Sequence, residues 1–206
     1  MELIQPNRRV AGIMLAAGRS RRFGSDKRES RLPDGTTLLV QSARNAASSL
    51  AHLIVVLRGD EAADTEQVRT MIARPGVETI CAADSDLGMG HSLAAGAAHL
   101  RKAETAYRGC VVLLADMPFL QPASISVVAA SLAVAAAPVI VQPVRDGKPG
   151  HPVGFHRHFF GALTELSGDE GARSVVKANR ASVQTVPLTD PGIHRDVDQP
   201  GDLKEI

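Results

Sequence analysis

The sequence contains little of what several classes of binding protein need. It has no tryptophan and only 3% aromatic residues, so stacking platforms for single-stranded nucleic acid are hard to build. Its formal net charge is +1, whereas a general nucleic-acid binder usually carries a broad basic excess. We therefore expect no nucleic acid among its partners.

Cysteine and long apolar segments are also scarce. Cys81 and Cys110 lie inside apolar runs without Cys-x-x-Cys spacing, so we expect buried free thiols in a reducing compartment and no zinc site. The alanine-rich stretch 127–141 is too short to span a membrane, and Pro138 interrupts it. The first nine residues lack the apolar core of a signal peptide. We therefore expect a cytoplasmic protein with no membrane partner.

Strand-length apolar runs alternate with segments of helical spacing. Runs typical of buried parallel strands occupy residues 10–15, 53–57, 77–82 and 110–114. Apolar residues recur every three or four positions in residues 37–50, 61–73, 91–103 and 122–136. This alternation predicts a three-layer α/β fold with a mostly parallel central sheet. The chain of 206 residues has no repeat or long linker, so we expect one domain over residues 1–206.

The pattern changes beyond residue 142. Glycine and proline crowd residues 147–154, which predicts a turn or loop. Helical spacing follows at 157–166 and 172–178, and a further strand is predicted at 183–188.

The first predicted strand leads into the segment that is most informative about function. Ala16, Ala17 and Gly18 are small enough to let backbone N–H groups approach a ligand. Six cations then fall within thirteen positions: Arg19, Arg21, Arg22, Lys27, Arg28 and Arg31. A strand that opens into such a segment predicts a polyphosphate site. A solvated basic loop is the alternative.

Carboxylates at two further positions suit a hard cation. Asp116 directly follows the fourth predicted strand, and Mg²⁺ typically takes one or two carboxylates together with substrate phosphates. Asp196 and Asp198 lie two apart in an extended segment, so they share a face and one or both could complete the metal site. The alternative for Asp116 is capping of the helix near Pro122. For the Asp196/Asp198 pair it is a turn before residue 201.

A glycine-containing segment follows the third predicted strand. Gly88 and Gly90 allow close approach of a flat ligand, and Ser92 could hydrogen-bond such a ligand or cap the helix. The glycines do not match Gly-x-Gly-x-x-Gly, and the first loop is not a Walker A motif. Both the dinucleotide oxidoreductases and the P-loop NTPases are therefore disfavoured.

In combination, these motifs resemble the nucleotidyltransferase superfamily that includes the molybdenum cofactor guanylyl- and cytidylyltransferases. The resemblance starts with Leu15-Ala16-Ala17-Gly18-x-Ser20-x-Arg22-Phe23-Gly24-x-Asp26-Lys27. It continues through Gly88-Met89-x-x-Ser92-Leu93, Asp116-Met117-Pro118, Gly150-His151-Pro152-Val153, Gly168-Asp169-x-Gly171-Ala172-Arg173 and Asp196-x-Asp198-x-Pro200-Gly201-Asp202-Leu203. The Gly-His-Pro and Gly-Asp-x-Gly-Ala-Arg motifs are similar to those of the molybdenum cofactor cytidylyltransferase-like branch.

The resemblance implies a Rossmann-like sandwich that transfers a nucleoside monophosphate from an NTP and releases pyrophosphate, with Mg²⁺ as cofactor. The implied nucleotide-binding residues are Leu15, Ala16, Ala17, Gly18, Arg19, Ser20, Gly24, Gly88, Met89 and Ser92. The implied catalytic residues are Arg22, Lys27 and Asp116, and Asp116 would hold the metal with Asp198 or Asp196. His151 and Asp169 are the implied substrate contacts.

The resemblance also implies the donor and the acceptor. Ala17, in place of a second glycine, resembles the CTP users, so CTP is the expected donor. The expected acceptor is a phosphorylated small molecule, the molybdopterin cofactor, and a molybdoenzyme would receive the product. Residues 28–37 depart from the leucine-rich continuation expected after Lys27, in a region that approaches the acceptor. Guanylyl transfer, a phosphosugar acceptor and a non-catalytic nucleotide- or cofactor-binding chaperone are the alternatives.

Overall fold

The computed structural model describes residues 9–18, 30–59, 62–103 and 107–203. Its strands are β1 Val10–Leu15, β2 Leu53–Arg58, β3 Val77–Ala82, β4 Gly109–Leu114, β5 Ile140–Arg145, β6 Lys148–Pro149, β7 Val153–His156 and β8 Val183–Pro187. Its α-helices are α1 Leu38–Ala47, α2 Ala62–Ile72, α3 Met89–Lys102, α4 Pro122–Val134, α5 Phe160–Thr164 and α6 Arg173–Ala178.

All eight strands join one sheet in the order β3-β2-β1-β4-β7-β5-β6, and β8 pairs with β5. β3, β2, β1 and β4 run parallel to one another. β7 is antiparallel to both β4 and β5, while β8 is parallel to β5. The predicted mostly parallel sheet is confirmed, and its carboxyl-end edge is where ligands bind in folds of this kind.

Helices cover both faces of this sheet. The alternation of β1 directs Val10 and Met14 toward the layer of α1, α2 and α4, and directs Ala11 and Ile13 toward that of α3, α5 and α6. α3 lies so close to the sheet that a Cβ at Gly96 would sit 2.6 Å from Ile13 Cγ2. The three-layer architecture predicted from the alternating sequence pattern is therefore confirmed.

The predicted elements agree closely with the observed ones through α4. β1 and β3 have the predicted bounds, and β2 and β4 are each longer by one residue. The Thr37 hydroxyl accepts a hydrogen bond of 3.4 Å from Val40 N and so caps the start of α1. α3 starts at Met89, two residues before the predicted start.

The region beyond residue 139 contains the main corrections. β5, which the sequence pattern did not predict, forms a hairpin with β6. β6 and the start of β7 lie in the 147–154 segment that was predicted as a turn or loop. Asp146 and Gly147 have φ angles of 53° and 74°, the backbone that an Asp-Gly hairpin turn requires. The helix predicted at 157–166 is a 3₁₀ turn, Arg157–Phe159, followed by the short α5.

The two cysteines differ in their surroundings. Cys110 is buried in β4, and burial raises the pKa of its thiol far above the usual range. The expectation that Cys81 is buried was wrong: β3 is an edge strand, and Cys81 is exposed, with its Sγ 3.5 Å from the Arg69 guanidinium. No helix in the described ranges is both long and apolar enough to cross a lipid bilayer.

Candidate active site

A cavity of about 600 Å³ opens beyond the carboxyl ends of β1 and β4. This is the edge at which parallel α/β sheets bind their ligands, and the volume suits a small molecule. Three segments that are far apart in the sequence meet there: the turn after β1, the turn after β4, and the region between β3 and α3.

The turn after β1 forms one wall of the cavity. Leu15, Ala16, Ala17 and Gly18 all line it. Ala16 still takes part in the hydrogen bonding of the sheet, because its N–H donates to Val56 O over 2.9 Å. The cations and small residues expected to continue this wall lie outside the described residues: Arg19, Ser20, Arg22, Gly24 and Lys27. Their roles therefore stay predictions.

Asp116 lines the cavity directly after β4. Ala115 N donates to Leu15 O over 3.1 Å, which ties the start of this turn to the end of β1. On the other side, Val197 N donates to Asp116 O over 2.9 Å. The main chain of Asp116 is thus bonded to the segment that carries the other two candidate metal ligands.

Asp196 and Asp198 also line the cavity, while Val197 between them is fully buried against Leu32 and Leu38. An extended segment with one buried residue directs its two neighbours to the same side. The structure thus brings both carboxylates to the cavity that Asp116 lines, and their function as metal ligands stays a prediction.

The alternative roles for these carboxylates were capping of the helix near Pro122, for Asp116, and a turn before residue 201, for the Asp196/Asp198 pair. Two other aspartates perform these roles. At the start of α4, Asp190 accepts hydrogen bonds from Gln121 N over 2.9 Å and from Ser124 Oγ over 2.7 Å. At the turn after Asp198, the Asp202 carboxylate accepts from Asp198 N and Gln199 N, each over 2.8 Å. Neither capping function falls to a candidate metal ligand.

The region between β3 and α3 forms the opposite wall, where Gly88, Met89 and Ser92 line the cavity. Gly88 has φ 125°, and a Cβ there would overlap the Gly168 carbonyl group. Gly90 N donates to Gly168 O over 2.7 Å. These contacts hold the 167–171 loop against the start of α3.

This packing brings Asp169 into the cavity wall, where sequence analysis placed a substrate contact. Two large apolar side chains, Leu87 and Met89, line the same wall with 62% and 45% of their surface exposed. They form an apolar surface suited to a planar ring.

His151 lies near the cavity but is not among its lining residues in the described part of the chain. β7 is antiparallel to β4 with Val153 opposite Val112, which places residue 151 near the end of β4. Its Nδ1 is buried and has no hydrogen-bond partner among the described residues. Burial lowers the pKa of His151, and the charge of Arg173 lowers it further. The charges of Asp116 and Asp196 act in the opposite direction and raise it. The imidazole thus lies close to the candidate metal ligands.

Several cavity residues were not predicted from the sequence: Leu38, Ser85, Asp86, Leu87, Leu114 and Ala115. The strand-end rule that selected Asp116 would have found Leu114 and Ala115. Leu38 reaches the cavity from the start of α1, which only the tertiary packing reveals.

The described part of the cavity wall is strongly acidic. Its charged lining residues are all carboxylates: Asp86, Asp116, Asp169, Asp196 and Asp198. Among the described residues, no three His, Cys, Asp or Glu side chains are arranged to hold a metal ion on their own. The donor set nevertheless fits a hard divalent cation that takes few protein carboxylates and completes its shell with water and phosphate oxygens.

Comparison with known proteins identifies the family. Residues 12–184 match the MobA-like NTP transferase domain. The chain belongs to this family. The resemblance to nucleotidyltransferases of the molybdenum cofactor type is therefore confirmed, and the protein is a MobA-like nucleotidyltransferase.

Relatives of this MobA-like chain match it over nearly its full length. It is 32% identical over 198 residues to the purine catabolism protein PucB of Bacillus subtilis (strain 168), covering 93% of this chain and 92% of PucB. The crystal structure of Rv0371c from Mycobacterium tuberculosis H37Rv has a TM-score of 0.79 and 28% identity, covering 97% of each chain. A structure of Rv0371c in complex with manganese has a TM-score of 0.76 and 26% identity, covering 96% of this chain and 100% of that one.

Proposed function

We propose that this MobA-like enzyme, acting as one domain over residues 1–206, transfers CMP from CTP to a phosphorylated small molecule and releases pyrophosphate. We propose the molybdopterin cofactor as acceptor, Mg²⁺ as the metal and a molybdoenzyme as recipient of the product. One observation carries the proposal: the small-residue turn Leu15–Gly18 and the carboxylate of Asp116 line the same strand-end cavity.

The transfer requires little covalent help from the protein. A phosphate oxygen of the acceptor attacks the α-phosphorus of CTP in line, a new oxygen–phosphorus bond forms, and the bond to the bridging oxygen of pyrophosphate breaks. Positioning and electrostatic stabilisation dominate such reactions. Backbone N–H groups around Gly18 would bind the triphosphate, and Arg22 and Lys27 are the proposed cations that neutralise charge on the departing pyrophosphate.

Asp116, together with Asp196 or Asp198, would hold the divalent ion. When bound, it neutralises phosphate charge and orients the phosphates. The five aspartates that line the described part of the cavity support this assignment, because carboxylate oxygens are the ligands that a hard divalent cation takes.

The choice of CTP is supported by the wall after β1. Ala17 lines the cavity, and in place of a second glycine it resembles the CTP users of the family; we propose that its methyl group narrows the site. A narrower site favours the smaller pyrimidine ring over guanine. An Ala17→Gly variant should therefore accept GTP better relative to CTP than the native enzyme does.

The experiment that tests the proposal follows pyrophosphate release from each of the four NTPs with molybdopterin, using Mg²⁺ or Mn²⁺. Release that is fastest with CTP supports the proposal, and release that is fastest with GTP makes the enzyme a guanylyltransferase. If CTP turns over with a phosphosugar but not with molybdopterin, the proposed acceptor is wrong. Nucleotide binding without release from any NTP favours the chaperone alternative.

A further inference from the structure

A polar stripe on α1 and the turn that ends it faces the segment that carries Asp116. Ser42 and Asn45 are three residues apart on one side of α1, and Ser49 lies in the turn that follows the helix. Ser42 and Ser49 are 3% and 2% exposed. All three side chains donate hydrogen bonds to backbone carbonyls between residues 115 and 122.

Ser42 holds the peptide group just before the candidate metal ligand. Its Oγ donates to Ala115 O over 2.9 Å in a buried site. The peptide just after Asp116 is held as well, since its carbonyl accepts from Val197 N over 2.9 Å. With both flanking peptides bonded, the backbone of Asp116 has little freedom to rotate.

Asn45 holds the next part of the same turn. Its amide nitrogen donates to Pro118 O and to Leu120 O, each over 2.9 Å. Its carbonyl oxygen accepts from Gln41 Nε2 over 2.8 Å, which fixes the orientation of the amide group. One side chain thus connects two carbonyls downstream of Asp116 to a single point on α1.

α1 is itself firmly fixed in the fold, because Leu39, Ala43 and Ala46 are buried in the core on the same face of the sheet as α4. A carboxylate that binds a metal must be held within roughly 0.5 Å of its working position. We propose that Ser42 and Asn45 are positioning residues that set the Asp116 carboxylate for the divalent cation. This inference rests on the proposed function, in which Asp116 holds that cation.

The chain provides matched controls for the proposal. Ser49 has an equally buried hydroxyl, which donates over 2.7 Å to Pro122 O at the start of α4, six residues after Asp116. Ser48 Oγ donates over 2.8 Å to Asn45 O on the exposed side of the same helix. S49A removes a tertiary bond like that of Ser42, and S48A removes only a local, exposed bond. Neither change releases the peptide next to Asp116.

The experiment measures the Kd of Mn²⁺ by calorimetry, together with the unfolding midpoint, for S42A, N45A, S49A and S48A. We expect S42A and N45A to weaken Mn²⁺ binding by about 10- to 100-fold, the range seen when residues that orient metal ligands are removed. S49A should lower the unfolding midpoint as much as S42A does but leave the Kd of Mn²⁺ within about twofold of the native value. S48A should change neither quantity.

S42T keeps the hydroxyl and should restore Mn²⁺ affinity. S42C keeps the size of the side chain, but its thiol is a weak hydrogen-bond donor, so we expect a partial loss of Mn²⁺ affinity. S42C replaces S42A in the experiment if S42A does not fold. Equal losses of affinity in S42A and S49A, or native affinity in S42C, would overturn the positioning role. D116N distinguishes failure of the positioning role from failure of the proposed function. Native Mn²⁺ affinity in D116N would show that Asp116 does not hold the cation.

Discussion

The two edges of the sheet use polar residues in opposite ways. At the amino-end edge, the Tyr107 hydroxyl lies 2.7 Å from His52 Nδ1, and His52 and His99 place their Nε2 atoms 3.2 and 2.9 Å from the two oxygens of Glu78. These groups bond to one another. At the carboxyl-end edge, five aspartates among the described residues line one cavity.

The difference shows which edge serves folding and which serves ligands. A network whose members bond to each other ties the residues before β2 and β4 to β3 and α3. The aspartates at the other edge line an open cavity, where they are in place to meet a ligand or its metal ion. The carboxyl-end edge is therefore the place where added ligand should change the protein most.

The largest effect should come from Asp116. Asp116→Asn keeps the shape of the side chain but removes its charge, so we expect transfer to slow by about 10³-fold or more, comparable to the loss of a key electrostatic group in other enzymes. Steady-state pyrophosphate release measures the rate. Circular dichroism serves as the control that the variant is folded. A loss below about tenfold would mean that Asp116 is not catalytic.

Ligand binding should give the second-largest effect and should distinguish the two edges of the sheet. CTP with Mg²⁺ at 100 times its Kd should add about 2.7 kcal/mol to the free energy of unfolding, which corresponds to a rise of roughly 5–11 °C in the unfolding midpoint. The rise should be the same size in a His52→Ala, His99→Ala double variant, because those residues lie at the other edge. A smaller rise in this variant would contradict the separation of the two edges.

Gly88→Ala should disturb the contact between α3 and the 167–171 loop. The added Cβ would overlap the Gly168 carbonyl and would sit at φ 125°, so we expect a loss of about 1–3 kcal/mol in stability. The KM for the nucleotide should also rise, because Asp169 moves with the loop. Gly161→Ala is the control: nothing lies within 4 Å of a Cβ there, and alanine should stabilise α5 by up to about 1 kcal/mol. Urea titration compares the two variants.

The smallest effect should come from Glu78→Gln at the amino-end edge. Burial would raise the pKa of Glu78, but hydrogen bonds from His99 and His52 and their charges hold it below 4.5. An acid with a lowered pKa stabilises the fold at neutral pH, and this contribution is lost as the pH falls through that pKa. We expect the variant to be less stable by under about 1 kcal/mol at neutral pH.

Urea titrations of the native protein and the Glu78→Gln variant between about pH 7 and pH 3 should show the difference shrinking below pH 4.5. Transfer activity should not change in the variant. A difference that grows toward low pH would show that Glu78 does not stabilise the fold through its charge.

Much of the fold could be predicted because local pattern and tertiary packing agree. β1 and β3 are short apolar runs that form buried or half-buried strands with the predicted bounds. β5 was missed because Pro143 and the preceding alanines obscure its pattern, although Asp146-Gly147 carried a hairpin signal. Proline disfavours a strand interior, and here Pro143 lies where the pairing of β5 changes from β7 to β6.

The candidate site was partly predictable for a similar reason. Asp116, Asp196 and Asp198 follow from the strand-end rule and from alternation in an extended segment. The hydrogen bond from Ser42 to Ala115 could not be predicted, because it joins residues 73 positions apart and a serine within a helix carries no signal of its partner. The cation positions Arg22 and Lys27 remain predictions.

The hydrogen bond from Val197 to Asp116 has a consequence for when the enzyme becomes active during its synthesis. The last described strand, β8, ends at Pro187, so a growing chain synthesises every strand of the described sheet before residues 196–198. Until those residues dock, the cavity lacks two of its carboxylates and Asp116 lacks one of the bonds that hold it. Nucleotide transfer should therefore begin only after the C-terminal segment has docked.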